Sequence, residues 1–333
     1  MAESNIPEAG SLRKMLDLLA DGKFHSGEEL GVLLGVSRAA VWKHLQKLEG
    51  LGINLLSVKG RGYCIDGGLD LLDLKKITAL VHSSLPLKLN IFPQIDSTNS
   101  YLMRHENPAL QVCLAESQSA GRGRRGRVWV SPFAQNIYCS IGWGFEGGVA
   151  ALEGLSLAVG LAIVRALQRY GIAGLELKWP NDVLYQNQKL AGVLIEITGD
   201  PAGYCQVVAG VGINVAMRED QDKAISQPWI DLRGIFAKQG LSSASRNQLT
   251  STLIDEMVVV LNGYETAGFS DYCAEWQSLN AHAGQMVELR NGNIVCFGIC
   301  VGVNEVGALI LETAQGHEMF HGGEISLRRV HDS

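Results

Sequence analysis

Four things are missing from this 333-residue sequence: a C-x-x-C pair, a G-x-x-x-x-G-K-[ST] phosphate loop, an internal repeat and a long low-complexity tract. The seven cysteines are odd in number and scattered, at Cys64, Cys113, Cys139, Cys205, Cys273, Cys296 and Cys300. Such spacing suits neither a disulfide framework nor a zinc site, so a reducing, cytoplasmic setting is expected. The N-terminal MAESNIPEAG has no basic stretch leading into an apolar one, so no secretory signal is read there. The longest apolar run, GLSLAVGLAIV, is too short for a membrane span and reads as a buried helix, so no membrane partner is expected. An excess of positive charge is lacking too. Lys and Arg number 28 against 34 Asp and Glu, a formal net charge of -6, which argues against indiscriminate nucleic-acid binding but permits a local basic patch.

What is present, 47% apolar and 19% charged residues over this length, fits a soluble multidomain α+β protein. Three segments differ in pattern. In residues 1–66, LRKMLDLLADG has helical apolar spacing and stops at Gly22. SGEELGVLLG opens with a capping box, Ser26 with Glu29, and stops at Gly35. Ser37 caps RAAVWKHLQKLEG, where Val41, Leu45 and Leu48 share a face, and INLLSVKGRGYCI reads as a two-stranded wing. Two short helices joined by a tight turn and followed by a wing predict a winged helix-turn-helix. From Ser37 to Tyr63, five basic residues (Arg38, Lys43, Lys47, Lys59, Arg61) face one acid, Glu49. Ser37, Arg38, Trp42, Lys43, Lys59 and Arg61 are therefore the candidate DNA contacts. The alternative is a small helical interaction domain with a solvated charged face.

Residues 67–279 mix strands such as LNIFPQIDSTN, VCLAESQ, NIYCSIGW, LELKW and KLAGVLIEIT with helical stretches, which predicts a mixed α/β catalytic core. Residues 280–333 read as short strands with an Asn291-Gly292 hairpin turn, a small β-barrel.

Chemistry concentrates in two places in the middle segment. GRGRRGR, from Gly121 to Arg127, puts four arginines and three glycines in seven residues between stretches that read as strands, VCLAESQ and VWVSPFAQNIYCSI. Glycines let backbone N–H groups converge on an anion, and arginines donate to phosphate or carboxylate. Nucleic-acid binding is the competing reading of the same charge run. The second place is KWPND, where a strand ends at Lys178 and turns through Pro180, Asn181 and Asp182, with Lys189 opening the return strand. Both lysines and the carboxylate meet at one hairpin end. The plain alternative is exposed edge lysines and a turn-forming aspartate.

Together, GRGRRGR, KWPND, KLAGVLIE, DSTN and GGEISLR resemble the bacterial biotin protein ligases, and the helix-turn-helix makes the chain similar to their bifunctional ligase–repressor subclass. The likeness covers nearly the whole chain except the residues before Gly10 and SQPWIDLRGIFAKQGLSSAS. It implies a class II synthetase-like biotin/lipoate ligase core with a Src-homology-3-like C-terminal barrel. It also implies ATP-dependent conversion of biotin to biotinyl-5′-AMP, and transfer of biotin to a lysine of the biotin carboxyl carrier protein of acetyl-CoA carboxylase. Ser97, Thr98, Asn99, Gln118, Gly121, Arg122, Gly123, Arg124 and Lys189 would then hold biotin. Arg127, Trp129, Asn181, Asp182 and Asn214 would hold ATP or adenylate. Lys189, Lys178, Arg122, Arg124 and Asp182 would carry the chemistry, with Mg²⁺ brought by ATP near Asp182 rather than held by protein ligands. Asp182 would orient or deprotonate the acceptor lysine, or act by charge alone. The likeness further implies an adenylate-bound homodimer on biotin operator DNA. The rivals are a lipoate-type ligase, a small-molecule-sensing regulator without ligase activity, and an RNA-binding protein that uses GRGRRGR.

Overall fold

In the computed structural model, residues 10–218, 225–291, 294–322 and 325–329 are described; Gly292 of the expected turn and Gly323 and Glu324 of GGEISLR lie outside them. Helix α1 (Ser11–Leu19) buries Met15, Leu16 and Leu19. Helix α2 (Gly27–Leu34) carries both halves of the capping box, with Ser26 and Glu29 exchanging side-chain and backbone bonds, and Gly35 ends it at φ 64°. Helix α3 (Arg38–Gly50) is capped by Ser37 and buries Val41, Leu45 and Leu48, the face read from the spacing. The antiparallel hairpin of β1 (Leu55–Val58) and β2 (Gly62–Ile65) follows. Gly62 has φ 104°, and a Cβ there would lie 2.1 Å from the His25 carbonyl oxygen, so only glycine lets the hairpin close on the α1–α2 connection. His25 itself lies between two carboxylates, with Nε2 3.1 Å from Asp21 and Nδ1 3.3 Å from Glu29.

Helix α4 (Leu74–Leu80), capped by Asp73, leads into a seven-stranded sheet. Its early members are β3 (Lys88–Phe92), helix α5 (Thr98–Met103), β4 (Gln111–Ala115) and β5 (Asn136–Phe145). Helix α6 (Leu155–Gln168) precedes β6 (Leu175–Lys178), β7 (Asp182–Tyr185), β8 (Gln188–Gly199) and β9 (Cys205–Asn214). The order is β3-β4-β5-β9-β8-β7-β6, with only β3 and β4 parallel. After helices α7 (Leu232–Gln239), α8 (Arg246–Ala267) and α9 (Ser270–Ser278), α6 and α8 cover one face of this sheet. Residues 149–168 are long and apolar enough by composition to cross a membrane. Here they are mostly inside the protein, Ala158 through Val164 having no exposed surface worth the name. The expectation of a buried helix therefore holds, on packing rather than on length.

Two expectations need correcting. DSTN does not continue a strand: Ser97 caps α5 and accepts from Ser100 N, so Thr98 and Asn99 occupy the first turn of a helix. Nor is 128–135 a strand. Among these residues Val128 makes only a single bridge to Arg122, Ala134 has φ 55°, and β5 begins at Asn136.

A buried ion pair gathers this region. Arg246 and Glu116, at 2.7 Å, have side chains 3% and 0% exposed. Arg246 also donates to the carbonyls of Asp70 and Asn136, while Glu116 accepts from Leu72 N at 2.6 Å. The pair thus joins the connection after β2, the end of β4, the start of β5 and the first turn of α8. Nearby, Phe133 and Ala134 pack into the apolar cluster of α1–α3, with Leu69 and Leu71 at its edge.

The last five strands are β10 (Met286–Asn291), β11 (Ile294–Val303), β12 (Leu309–Thr313), β13 (Gly316–Phe320) and β14 (Ile325–Arg329), in the order β13-β12-β11-β10-β14. They are not a separate bead. Val287, Leu289, Leu309 and Leu327 belong to the same apolar cluster as the seven-stranded sheet. Leu177 on β6 pairs with Leu279 and Ala281, and Trp179 Nε1 donates to Gly307 O at 3.1 Å.

Replacing Arg246 with Met leaves Glu116 buried without its cation, a loss expected to cost about 3–5 kcal/mol; urea unfolding of the variant checks it. For His25, burial pulls the imidazole down, but its bonds to Asp21 and Glu29 outweigh burial and raise it above its ordinary 6.5. A raised value means stabilisation complete below the unfolded-state value and lost as pH climbs through the folded-state one. His25→Gln is therefore expected to remove a decline in melting temperature above about pH 6.5 that the parent shows, measured by pH-dependent thermal melts.

Candidate active site

The open face of the sheet, opposite α6 and α8, forms the floor of a cleft of about 670 Å³. One cross-strand row runs along it through the registered pairs Lys178–Asp182, Asp182–Gly192, Gly192–Gly212 and Gly212–Tyr138. Lys189 joins that row through a bulge. In a regular strand Lys189 and Gly192, three apart, face opposite sides. Here Val183 pairs with Ala191 but Leu184 pairs with Lys189, leaving Leu190 as the extra residue, so Lys189 turns to the cleft side. Its ammonium lies 2.7 Å from Asp182 Oδ1 and 5.3 Å from the Trp129 ring centre.

Trp129 lies over the two glycines. A Cβ on Gly212 would come within 2.5 Å of the indole, and one on Gly192 within 3.2 Å, so the aromatic slab sits directly on bare backbone. Its Nε1 is buried against Gly212 without a hydrogen-bond partner among the described residues. A third glycine, Gly210, makes room for Asn99, whose Oδ1 would lie 2.0 Å from an added Cβ.

The arginine loop arches over this floor as a small hairpin. Arg122 bridges Val128, Gly123 N donates to Arg127 O at 2.7 Å, and Trp129 N donates to Gly121 O at 2.9 Å. Arg125 has φ 59°, the turn of the arch. Arg122 reaches Glu196 at 2.9 Å, and Arg124 donates to Asn181 Oδ1 at 3.2 Å. Burial holds the Arg124 guanidinium below the usual arginine value. Asp182 opposes that shift, and the like charges of Arg125 and Arg127 add to it. Guanidinium keeps its proton regardless, so the shift reflects the burial of a charged group that stays cationic.

Of the residues expected here, Ser97, Thr98, Asn99, Gln118, Arg122, Gly123, Arg124, Arg127, Trp129, Lys178, Asn181, Asp182 and Lys189 line the cleft together. Two do not. Gly121 lies behind the loop, where a Cβ would meet Ser131 Oγ and Trp129 O at 2.6 Å. Asn214 is 5% exposed, and its Nδ2 donates to the carbonyls of Lys189 and Ile230, so it braces the strand that carries Lys189. Sequence reading passed over Gly192, Gly210, Gly212, Glu196 and Ser140. The G-x-G spacing inside an otherwise β-branched strand was the available signal for two of them. His282, in the turn before β10, and Leu327 and Arg328 on β14 also reach the cleft wall. Among the described residues no group of three or more His, Cys, Asp or Glu side chains gathers as a metal cluster.

In the N-terminal segment, Arg38, Trp42, Lys43 and Lys59 are exposed, Trp42 by 56%, while Ser37 is taken up as the cap of α3. Arg61 lies over the Phe24 ring at 4.1 Å, which steadies it at the hairpin tip.

Comparison with known proteins places each part. Residues 91–214 match the biotin/lipoate A/B protein ligase family, residues 11–64 an HTH domain, and residues 282–328 the biotin protein ligase C-terminal domain. The chain is 41% identical to the bifunctional ligase/repressor BirA of Escherichia coli, covering 95% of this chain and 96% of that protein. It is 32% identical to the biotin–[acetyl-CoA-carboxylase] ligase of Paracoccus denitrificans, over 69% of this chain and 96% of that one. The biotin protein ligase from Aquifex aeolicus in complex with biotin and ATP aligns with a TM-score of 0.61 at 28% identity, covering 73% of this chain and 99% of that one. With a relative this similar along nearly its whole length, the chain belongs to the biotin protein ligase family, in its bifunctional ligase/repressor branch.

Proposed function

We propose that this chain activates biotin with ATP to biotinyl-5′-AMP and transfers biotin to a lysine of the biotin carboxyl carrier protein of acetyl-CoA carboxylase. The observation that carries the reading is one floor with two chemistries. At one end lies a neutral polar cradle of Ser97, Thr98, Asn99 and Gln118. At the other lies a cationic group of Lys178, Lys189 and Arg124, with Asp182 beside them. The cradle suits an uncharged ureido ring, which needs paired donors and acceptors. The cations suit the encounter of a carboxylate with an α-phosphate.

In the first step a biotin carboxylate oxygen attacks the α-phosphorus and pyrophosphate leaves. Negative charge collects on the bridging and non-bridging oxygens, where Lys189, Lys178, Arg122 and Arg124 stabilise it. Trp129, flat on Gly192 and Gly212, stacks the adenine; Asn181 and Arg127 complete the nucleotide side. Asp182, on the cleft wall beside Lys189, would be the carboxylate available to a Mg²⁺ ion arriving with ATP, which would neutralise phosphate charge there. In the second step the acceptor amine attacks the mixed-anhydride carbonyl and AMP departs. Asp182, already 2.7 Å from Lys189, orients that amine or takes its proton. The arginine arch keeps water from the anhydride meanwhile.

The finer architecture fits the same reading. The helices and hairpin of residues 1–66 act as a winged helix-turn-helix. Residues 67–279 act as the class II synthetase-like ligase core, and residues 280–333 as a Src-homology-3-like barrel. Arg38, Trp42, Lys43, Lys59 and Arg61 contact biotin operator DNA, with Ser37 setting the helix start. The adenylate-bound form pairs as a homodimer in the cytoplasm, and ligand-linked assembly makes operator binding depend on biotin.

ATP–pyrophosphate exchange tests the chemistry. Exchange that needs biotin is expected; exchange that needs lipoate instead points to a lipoate-type ligase, and none at all to a sensing regulator. On operator DNA, fluorescence anisotropy is expected to show tighter binding with biotin plus ATP than without. Arg124→Gly opens the arch. It is expected to release adenylate at least about tenfold faster, the effect of losing one charge-assisted contact, and to label bystander lysines. Labelling confined to the carrier protein in a bystander-protein assay would contradict the arch's role.

A further inference from the structure

Beneath the polar cradle lies a hydrogen-bond relay whose direction is fixed by a carboxylate outside the cleft lining. Glu196 Oε2 accepts from Asn99 Nδ2 and from Arg122, both at 2.9 Å. Asn99 Nδ2 also donates to Leu194 O at 3.1 Å. Both partners are acceptors only, so the amide nitrogen must face them and Asn99 Oδ1 must face the other way. There it meets Ser140 Oγ at 2.6 Å, and Ser140 also lies 2.7 Å from Thr98 Oγ1. Asn99 Oδ1 has no proton to give, so the single Ser140 proton goes to it. Ser140 then accepts the Thr98 hydroxyl proton. With that proton committed, Thr98 can offer an entering ligand only lone pairs.

Gln118 points the same way. Its Nε2 is used by Ser131 Oγ at 3.1 Å, and its Oε1 is held by Thr98 N at 2.9 Å with a longer 3.2 Å approach to Thr98 Oγ1. The cradle therefore shows acceptors at both Thr98 and Gln118. The relay also spans the arginine arch, touching Arg122 near its start and Ser131 near its end. Ser140 is fully buried, and Gly210 leaves the space that Asn99 needs.

We propose that Glu196 and Ser140 are specificity-determining positioning residues: through Asn99 they set Thr98 as an acceptor, so the floor selects a ligand that donates N–H. This rests on the cleft being the biotin site, whose ureido ring carries two such donors. A dithiolane ring has none, and a site built for a donor strongly rejects an analogue lacking it.

The test is biotin-dependent ATP–pyrophosphate exchange by the full-length chain and its Glu196→Gln and Ser140→Ala variants. Glutamine can turn either end toward Asn99, which leaves only the longer bond to the Leu194 carbonyl to hold the direction; alanine removes the middle of the relay. Each variant is expected to raise the biotin KM about tenfold, the effect of one buried hydrogen bond, with kcat kept within about twofold. The double variant is expected to match the singles, because both cut one relay. Biotin methylated on both ureido nitrogens is expected to compete equally weakly against parent and variants. An unchanged biotin KM, fully additive single effects, or methylated biotin losing affinity along with biotin would each overturn the proposal. If Ser140→Ala does not fold, Glu196→Gln, on a half-buried residue, carries the KM and analogue comparisons alone. Absence of biotin-dependent exchange in the parent overturns the reading of the cleft and this proposal with it; exchange in the parent with indifferent variants overturns this proposal only.

Discussion

The Arg246–Glu116 pair is the constraint on which the arrangement turns. A buried guanidinium and a buried carboxylate are tolerable only when each is surrounded by partners, and here the partners come from four separate stretches of chain. Holding Glu116 fixes the end of β4, from which Gln118 and the arginine arch depart. Holding the Asn136 carbonyl fixes the start of β5, to which the arch returns. The arch is thus a loop with both feet clamped to one charge pair. Behind it the sheet contributes backbone rather than side chains. Three glycines on adjacent strands clear the ground for Trp129 and Asn99, so the floor is shaped by what those strands omit.

Where local chemistry decided the structure, the sequence could be read directly. Ser26, Glu29 and Gly35 bound α2, Ser37 starts α3, and KWPND with Lys189 forms the expected hairpin end. Where long-range contacts decided it, reading failed in identifiable ways. The β-rich look of LNIFPQIDSTN concealed a helix cap, because Ser97 serves α5 only once Thr98 and Asn99 are packed under the sheet. VWVSPFAQ has strand-like composition, but Phe133 and Ala134 are claimed by the N-terminal helices, which leaves nothing to pair with. The bulge at Leu190 has no local signature, since it depends on the register of two strands. Asn214 has its amide nitrogen engaged by the carbonyls of Lys189 and Ile230, a bracing role that residue type cannot convey.

The two basic patches also separate cleanly. The arch is drawn inward by Glu196 and Asn181, whereas Arg38, Lys43 and Lys59 stand in solvent on the N-terminal helices and hairpin. A chain with net negative charge therefore keeps two separate cationic patches, one enclosed between walls and one at an open surface.

Phe133 and Ala134 carry a consequence of their own. They belong to the stretch that brings the arch back to the sheet, yet their side chains are part of the apolar core of α1–α3. The boundary after residue 66 is therefore a boundary in the sequence and not in the material. A truncated protein that begins there would present a naked phenylalanine at the heel of its own lid, and the heel would lose the wall it braces against. The helical module and the return limb of the arginine arch thus share one apolar core.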